Sequence, residues 1–322
     1  MSLASNKGAI CVLGGTGFVG RTLAAKLAGA GYAIRIPTRN RQSAREMLVL
    51  PGLELVQADV HDADQLTELV HGARAVINLV GILNETGHDG SGFQHAHVSL
   101  AEKLMAACRK TGVNRVLQMS ALKANAERGA SHYLRSKGQA EQLIAGQAGD
   151  SVHYTILRPS VIFGQEDSFT NRFAGIIRMS PVLPMPQLGA QFAPVYVGDV
   201  AEAFCRTLAD SACFGKTYEL CGPDVYTLEE ILRFLSREMG LKRLLINMPP
   251  PLGRLQAWVG EYLLPGKPFS RDNYRSLSVA SVCRDNGFAA MGILPHAFEP
   301  IVRSYLTRRM DNFSVFRRTS QR

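Results

Sequence analysis

Two hydrophobic periods alternate along the first 165 residues. Short, nearly continuous apolar runs at Ala9–Leu13, Tyr32–Pro37, Leu53–Ala58, Ala75–Val80, Arg115–Met119 and Tyr154–Leu157 read as strands buried on both faces. Between them, Arg21–Ala28, Gln42–Leu48, Ala63–Val70, Val98–Lys110 and Leu134–Ala145 carry apolar residues three and four apart and read as amphipathic helices. This alternation predicts an α/β fold with a doubly wound parallel sheet, its ligand lying at the carboxyl ends of the strands.

After Arg158 the periodicity breaks. Ser180–Gln187 carries Pro181, Pro184 and Pro186, which excludes helix and central strand. Val195–Leu208 reads as a short strand followed by a helix. Thr227–Met239 reads as a helix with a capping box of Thr227 and Glu230 and with Gly240 past its end. The chain thus divides into a sheet domain (1–164), a smaller irregular C-terminal lobe (165–300) with a return segment to the sheet (193–222), and a tail (301–322).

Charge gives the tail its character. From Leu241 to Arg322 there are 13 Lys/Arg against 5 Asp/Glu, whereas the first 240 residues hold 23 against 22. In the tail, Arg303, Arg308, Arg309, Arg317, Arg318 and Arg322 interleave with Tyr305, Leu306, Phe313, Val315 and Phe316. That mixture suits an anionic membrane surface or an acidic protein partner, and Leu252–Leu264, with Trp258, would add an interfacial helix. The alternative is a solvated tail beside an ordinary packed helix. No nucleic-acid reading motif accompanies the charge, so no nucleic acid is expected. Residues 1–8 lead into a strand and not into a signal-peptide core. The six cysteines form no CxxC and read as buried, reduced thiols, which implies a cytoplasmic setting, with peripheral contact at the inner membrane face. His95 and His97 form an isolated HxH without further ligands, so no metal is expected.

Chemistry enters at the first turn. Strand one runs into Gly14-Gly15-Thr16-Gly17-Phe18-Val19-Gly20, between a strand and a helix. Glycines there permit a tight turn and close pyrophosphate approach, while the helix N-terminus presents N–H groups to phosphate. Gly14, Thr16, Gly17, Phe18 and Val19 are therefore candidate dinucleotide contacts of a Rossmann unit. Strand two ends Ile36-Pro37-Thr38-Arg39, with no acid until Glu46 to hold a ribose 2′-OH. Arg39 faces a 2′-phosphate better, so NADP(H) is expected over NAD(H).

Strand five ends Gln118-Met119-Ser120, and Tyr133 and Lys137 follow as Y-x-x-x-K on one helix face. Lys137 is expected to lower the Tyr133 pKa and to hold the nicotinamide ribose, and Ser120 to orient a substrate oxygen. Leu83–Phe93, with Gly87, Gly90 and Gly92, reads as a flap or a plain surface loop. Asp199 reads as the cap of a helix over Val200–Leu208.

Together, Gly14–Gly20, Ser120, Tyr133/Lys137 and Arg158-Pro159-Ser160-Val161-Ile162-Phe163-Gly164 resemble the extended or atypical short-chain dehydrogenases/reductases. The stretches from Tyr133 to Lys137 and from Ile162 to Asn171 are similar to the NADPH-binding accessory subunit of respiratory complex I and its bacterial relatives. The resemblance covers nearly the whole chain and weakens after about Pro249. It implies a bound NADP(H), turned over or structural. It also implies that Asp59 and Val60 flank the adenine, that Leu79, Val80 and Gly81 line the dinucleotide beside Met119, and that Pro159, Val161 and Ile162 pack near the nicotinamide. Three functions follow as expectations: an oxidoreductase acting on a carbonyl, alcohol or quinone-linked substrate, a cofactor-stabilised accessory protein of a respiratory membrane complex, and a nucleotide-sugar epimerase.

Overall fold

The computed structural model describes residues 9–263 and 269–306. The chain forms two compact units. One comprises Met1–Pro159, Gly198–Leu220 and Arg284–Ile293; the other comprises Ser160–Val197, Cys221–Cys283 and Leu294–Arg322.

The first unit is built on β1 (Ala9–Leu13), β2 (Ala33–Thr38), β3 (Leu53–Gln57), β4 (Ala73–Asn78), β5 (Arg115–Met119), β6 (His153–Pro159) and β7 (Lys216–Leu220). They form one parallel seven-stranded sheet in the order β7-β6-β5-β4-β1-β2-β3. The strand order reverses between β1 and β4, where a doubly wound sheet opens its ligand crevice. Pro37 is tolerated in β2 because pairing with β1 ends at Cys11↔Arg35, before the missing N–H matters.

The helices are α1 (Phe18–Gly29), α2 (Ala63–Val70), α3 (Leu100–Thr111), α4 (His132–Ala148) and α5 (Val197–Ala209). Leu66, Leu69, Leu100, Leu104, Met105 and Ile144 pack on one sheet face against Leu13, Val76 and Val116. Gln42–Val49 forms a 3₁₀-helix; its buried residues, Ala44 and Met47, stand three apart, matching three residues per turn. The third long helix begins earlier than its periodicity suggests, because Ser91–Phe93 runs into a π-helical turn at Gln94–Ser99 before α3. The helix α5 starts at Val197, so Asp199 lies buried in its first turn and not at the cap.

In the second unit, Ile162–Phe163 pairs with Val195–Tyr196, Val182–Pro186 with Leu244–Met248, and Gln191–Phe192 with Tyr226–Thr227. The proline-rich segment becomes a strand here because its ladder has only two strands, so its free edge needs no donors. Thr227 and Glu230 form the expected capping box on the helix Leu228–Glu238. Phe163, Phe192, Phe234, Phe298 and Tyr305 share the core. Tyr305 and Leu306 are therefore buried, and Arg303 donates twice to Glu238 at 2.8 and 2.9 Å. At Tyr305 and Leu306 the interleaved-surface reading fails, whereas Arg303 is exposed. Arg308, Arg309, Phe313, Val315, Phe316, Arg317, Arg318 and Arg322 lie outside the described residues.

Cys221 and Cys283 form a disulfide across 62 residues. This corrects the reading of six reduced thiols: partners so far apart leave no spacing signal in the sequence. Cys11, Cys108, Cys205 and Cys213 are free, and burial pushes the Cys11 and Cys108 thiols up to about 12.

Candidate active site

The glycine turn closes β1 onto α1. Gly14 has φ +75°, and a Cβ there would lie 3.1 Å from Leu79 C and Val80 N. At Gly20 a Cβ would come within 2.4 Å of the Gly15 carbonyl, so helix and turn can touch only through glycine. Gly17 caps α1 without a side-chain bond, and the first turn contains no acid. Its N–H groups are thus placed for an anion, with Thr16, Phe18 and Val19 around them.

At the end of β2, Arg39 lines an open concavity of ≈ 490 Å³ with Asn40, Arg41, Gln42, Arg45 and Gln57, and no carboxylate is among the lining residues. Glu46 is instead ion-paired with Arg21, whose Nε also donates to Thr16 O at 3.0 Å. Asp59 and Val60 follow β3. The Asp59 carboxylate turns back to accept from His61 N–H at 2.9 Å. His61 stacks on His95 at 4.2 Å, and burial lowers its pKa, with the His95 charge adding to the effect.

Between the ends of β4 and β5 lies a polar ladder that sequence reasoning missed. Asn78 Nδ2 donates to Gln118 Oε1 at 2.9 Å, Val80 N donates to Asn78 Oδ1 at 3.1 Å, and Gln118 Nε2 donates to Met119 O at 3.0 Å. The signal available was a polar residue at or next to the end of each otherwise apolar strand. This ladder fixes Val80 and Met119, while Leu79 N–H donates to Leu13 O at 2.9 Å.

Lys137 reaches into the same place. Only 2% exposed, its Nζ donates to Val80 O at 3.2 Å and to Met119 O at 3.3 Å. Burial lowers its pKa to about 8, against the opposing pull of Glu141. The neighbouring Ser120 Oγ is buried and has no hydrogen-bond partner among the described residues. A buried hydroxyl without a partner costs free energy unless a ligand supplies one.

Tyr133 sits in the first turn of α4, after the cap Ser131. Burial pushes its phenol up to about 12. This corrects the expectation that Lys137 would lower it: in this state desolvation dominates. His97 helps to place Tyr133. Ile82 N–H donates to Nε2 at 3.3 Å, which leaves the ring proton on Nδ1. Nδ1 lies 2.8 Å from Ser136 Oγ and donates to it, and that hydroxyl donates to Tyr133 O at 3.0 Å. The rings of Phe93 and His97 meet the Tyr133 ring edge-on at 6.1 and 5.7 Å. The π-helical turn delivers His97 to this position, so the HxH reads as packing and hydrogen bonding.

Burial, helped by the Lys137 charge, lowers the His97 pKa to about 2. The unfolded imidazole takes up a proton near pH 6.5, which the folded one refuses. Wild-type stability is therefore expected to fall below that pH, by up to ~1.4 kcal/mol per unit. His97→Ala should cost about 1–3 kcal/mol at pH 7.5 by stranding its two partners, and distinctly less at pH 5. Denaturant titrations at the two pH values check this, and an unchanged penalty would contradict the burial argument.

The loop after β4 is tied down. Glu85 accepts from Gly90 N at 2.7 Å and from Gly92 N at 2.9 Å, so its carboxylate staples the segment expected as a flap. Pro159 is buried at the end of β6, where it pairs with Leu220. Val161 and Ile162 belong to the second unit, where Ile162 pairs with Val195.

Residues 10–221 match the NAD dependent epimerase/dehydratase family. The chain belongs to that family. Among its relatives, the Arabidopsis thaliana mitochondrial NADH dehydrogenase (ubiquinone) 1 alpha subcomplex subunit 9 is 30% identical over 302 residues, covering 88% of this chain and 74% of that protein. A ceramide reductase of Caulobacter vibrioides is 29% identical over 252 residues, covering 76% and 75%. This family member is thus an extended short-chain dehydrogenase/reductase related to the complex I accessory subunits. The fold recurs in the NADPH-dependent quinone oxidoreductase QOR2 of Escherichia coli, solved with NADPH, at a TM-score of 0.74 and 20% identity, covering 92% of this chain and 99% of that one. The epimerase/dehydratase cradle fits a nicotinamide dinucleotide: a glycine-rich turn, a helix N-terminus without a side-chain cap, and a buried hydroxyl without a protein partner among the described residues.

Proposed function

We propose that this chain is an NADP(H)-dependent reductase of a carbonyl compound, with Ser120, Tyr133 and Lys137 as its catalytic residues. The observation that carries the reading is the buried, unpartnered Ser120 Oγ beside the Lys137-bonded end of β5. When bound, a reduced nicotinamide supplies hydride. Ser120 donates a hydrogen bond to the carbonyl oxygen and so orients it. Tyr133, held protonated by burial, gives its phenolic proton to that oxygen as it becomes an alkoxide. The Lys137 ammonium stabilises the phenolate left behind until solvent reprotonates it. The likeness to a ceramide reductase supports a carbonyl carried on a lipophilic molecule.

The preference for NADP(H) rests on the arginine-lined concavity at Arg39. Arg39→Ala should weaken NADPH binding about 10- to 100-fold, the loss of one charge-assisted phosphate contact, and leave NADH nearly unchanged. Calorimetric titration of both cofactors checks this. Equal affinities that the substitution does not alter would reverse the assignment.

A second reading, a dinucleotide-stabilised accessory protein without turnover, is favoured by the likeness to a mitochondrial NADH dehydrogenase subunit over 88% of this chain. One experiment separates the two. Purified protein is assayed for NADPH oxidation with aldehydes, ketones and quinones, and its bound dinucleotide is tested for exchange. Turnover supports the reductase; tightly held, non-exchanging NADPH without turnover supports the accessory role.

A further inference from the structure

The helix Pro250–Tyr262 is amphipathic in the opposite sense to a core helix. Its inward stripe is small: Gly253, Ala257 and Gly260 are buried at i, i+4 and i+7. That stripe permits close approach, since a Cβ on Gly253 would lie 2.9 Å from Pro186 Cβ, and one on Gly260 would lie 2.3 Å from Phe269 O. The bulky apolar residues consequently face water. Leu252, Leu255, Trp258, Tyr262 and Leu263 are 49, 54, 44, 44 and 65% exposed. A solvent-facing helix side made of large apolar residues is unusual on a self-contained protein. In the same unit, the strand Leu244–Met248 exposes Leu244 and Ile246, and Leu244 pairs with Val182, which is exposed to a lesser degree.

Along Lys242–Leu263 the charged residues other than Glu261 are basic. From Lys242 to Leu263 the only acid is Glu261, which is buried and accepts from Arg271 N and Nε, both at 2.9 Å. Lys242 and Arg254 are exposed. The Arg271 guanidinium lies 5.2 Å from the Tyr262 ring centre and donates to its hydroxyl at 2.8 Å, placing a cation at the aromatic edge.

We propose that this helix is a membrane-surface anchor that docks on anionic phospholipid. Thirteen residues fall short of the roughly 20 needed to span a bilayer, and no helix among the described residues is long and apolar enough to cross one. It therefore lies in the interface plane. Leucines enter the acyl boundary, Trp258 and Tyr262 sit at headgroup depth, and the basic rim meets lipid phosphate. Among the described residues of Lys242–Leu263 the lone acid, Glu261, is buried, so this segment offers no acidic rim to a basic protein partner.

Trp258 is the only tryptophan in the chain, so it reports its own environment. The full-length protein is mixed with phosphatidylcholine vesicles, with or without phosphatidylglycerol, and with brominated-acyl lipids. The expected result is a blue shift of Trp258 emission with phosphatidylglycerol vesicles, quenching by brominated chains, and weakening at high salt. Leu252→Asp/Leu255→Asp should cut partitioning at least about tenfold while dinucleotide retention stays unchanged, which shows that the fold persists. Unshifted, unquenched emission at low salt overturns the proposal, even where the protein sediments with vesicles by other residues. So does a concentration-dependent dimer dissolved by the same substitutions, which would make the face an interface between copies.

Discussion

Tyr133→Phe is expected to lower reductase turnover by about 10²- to 10⁴-fold, the usual contribution of a positioned proton donor, and to leave dinucleotide binding unchanged. The expectation follows from where the phenol is held. Its ring packs against Phe93 and His97, its backbone carbonyl is fixed through Ser136, and burial keeps the hydroxyl protonated up to about 12. Phenylalanine preserves the packing and removes only the proton. The pH dependence should come from Lys137, whose ammonium titrates near 8. Below that value the cation is present to stabilise the phenolate as the proton leaves; above it the support is lost. Turnover should thus be flat through neutral pH and decline as pH rises past about 8, with no inflection from Tyr133 until far higher. Steady-state rates of wild type and Tyr133→Phe from pH 6 to 9.5, with cofactor affinity measured alongside, check both statements. Full turnover in Tyr133→Phe would remove the tyrosine from the mechanism.

The parallel sheet was legible because its signal is local. Each central strand is a nearly continuous apolar run, and three of the elements read from the pattern, Ala9–Leu13, Ala63–Val70 and Arg115–Met119, keep the same bounds in the structure. The glycine turn was legible for the same reason: strand, turn and helix are contiguous. What stayed hidden depends on residues far apart in the chain. Asn78 and Gln118 meet across 40 residues, and His97 and Ser136 across 39. A histidine in a π-helical turn gives no periodic sign of which way it points, so the spacing of His95 and His97 raises only the question of a metal. The Tyr133–Lys137 pair is visible in the sequence, but the shift on the phenol is not: burial alone raises it, and the lysine does not lower it. Spacing shows that a lysine is near; it cannot show how completely water has been removed from the phenol. The basic tail failed at Tyr305 and Leu306 in the same way, because interleaved aromatic and basic residues also describe a helix with one buried face.

Removing the Cys221–Cys283 disulfide is expected to destabilise the protein by about 4 kcal/mol, the loop-closure entropy for a bridge over 62 residues. The enclosed segment, 222–282, contains the helices Leu228–Glu238 and Pro250–Tyr262 and the strand Leu244–Met248. Its core contribution comes largely from Leu228, Ile231, Phe234 and Leu235. Further along, the segment is thinly packed: Gly253, Ala257 and Gly260 bury little apolar area, and the larger side chains of that helix face outward. A bridge that shrinks the unfolded ensemble matters most where burial is slight. Nearby bonds depend on the same joint. Ser281 accepts from Ala193 N at 2.9 Å and from Ser160 Oγ at 2.8 Å, and its own N–H donates to Gln191 O at 2.8 Å. Urea unfolding of the wild type, oxidised and reduced, and of Cys221→Ser/Cys283→Ser measures the effect. The reduced wild type and the double variant should unfold at the same lowered midpoint. Thiol titration of the native oxidised protein should leave Cys221 and Cys283 unreactive, and Cys11 and Cys108 silent for the different reason of burial. An oxidised wild type and a double variant with coincident unfolding curves would show that the core of Leu228, Phe234 and Phe298 holds this unit together without the bridge.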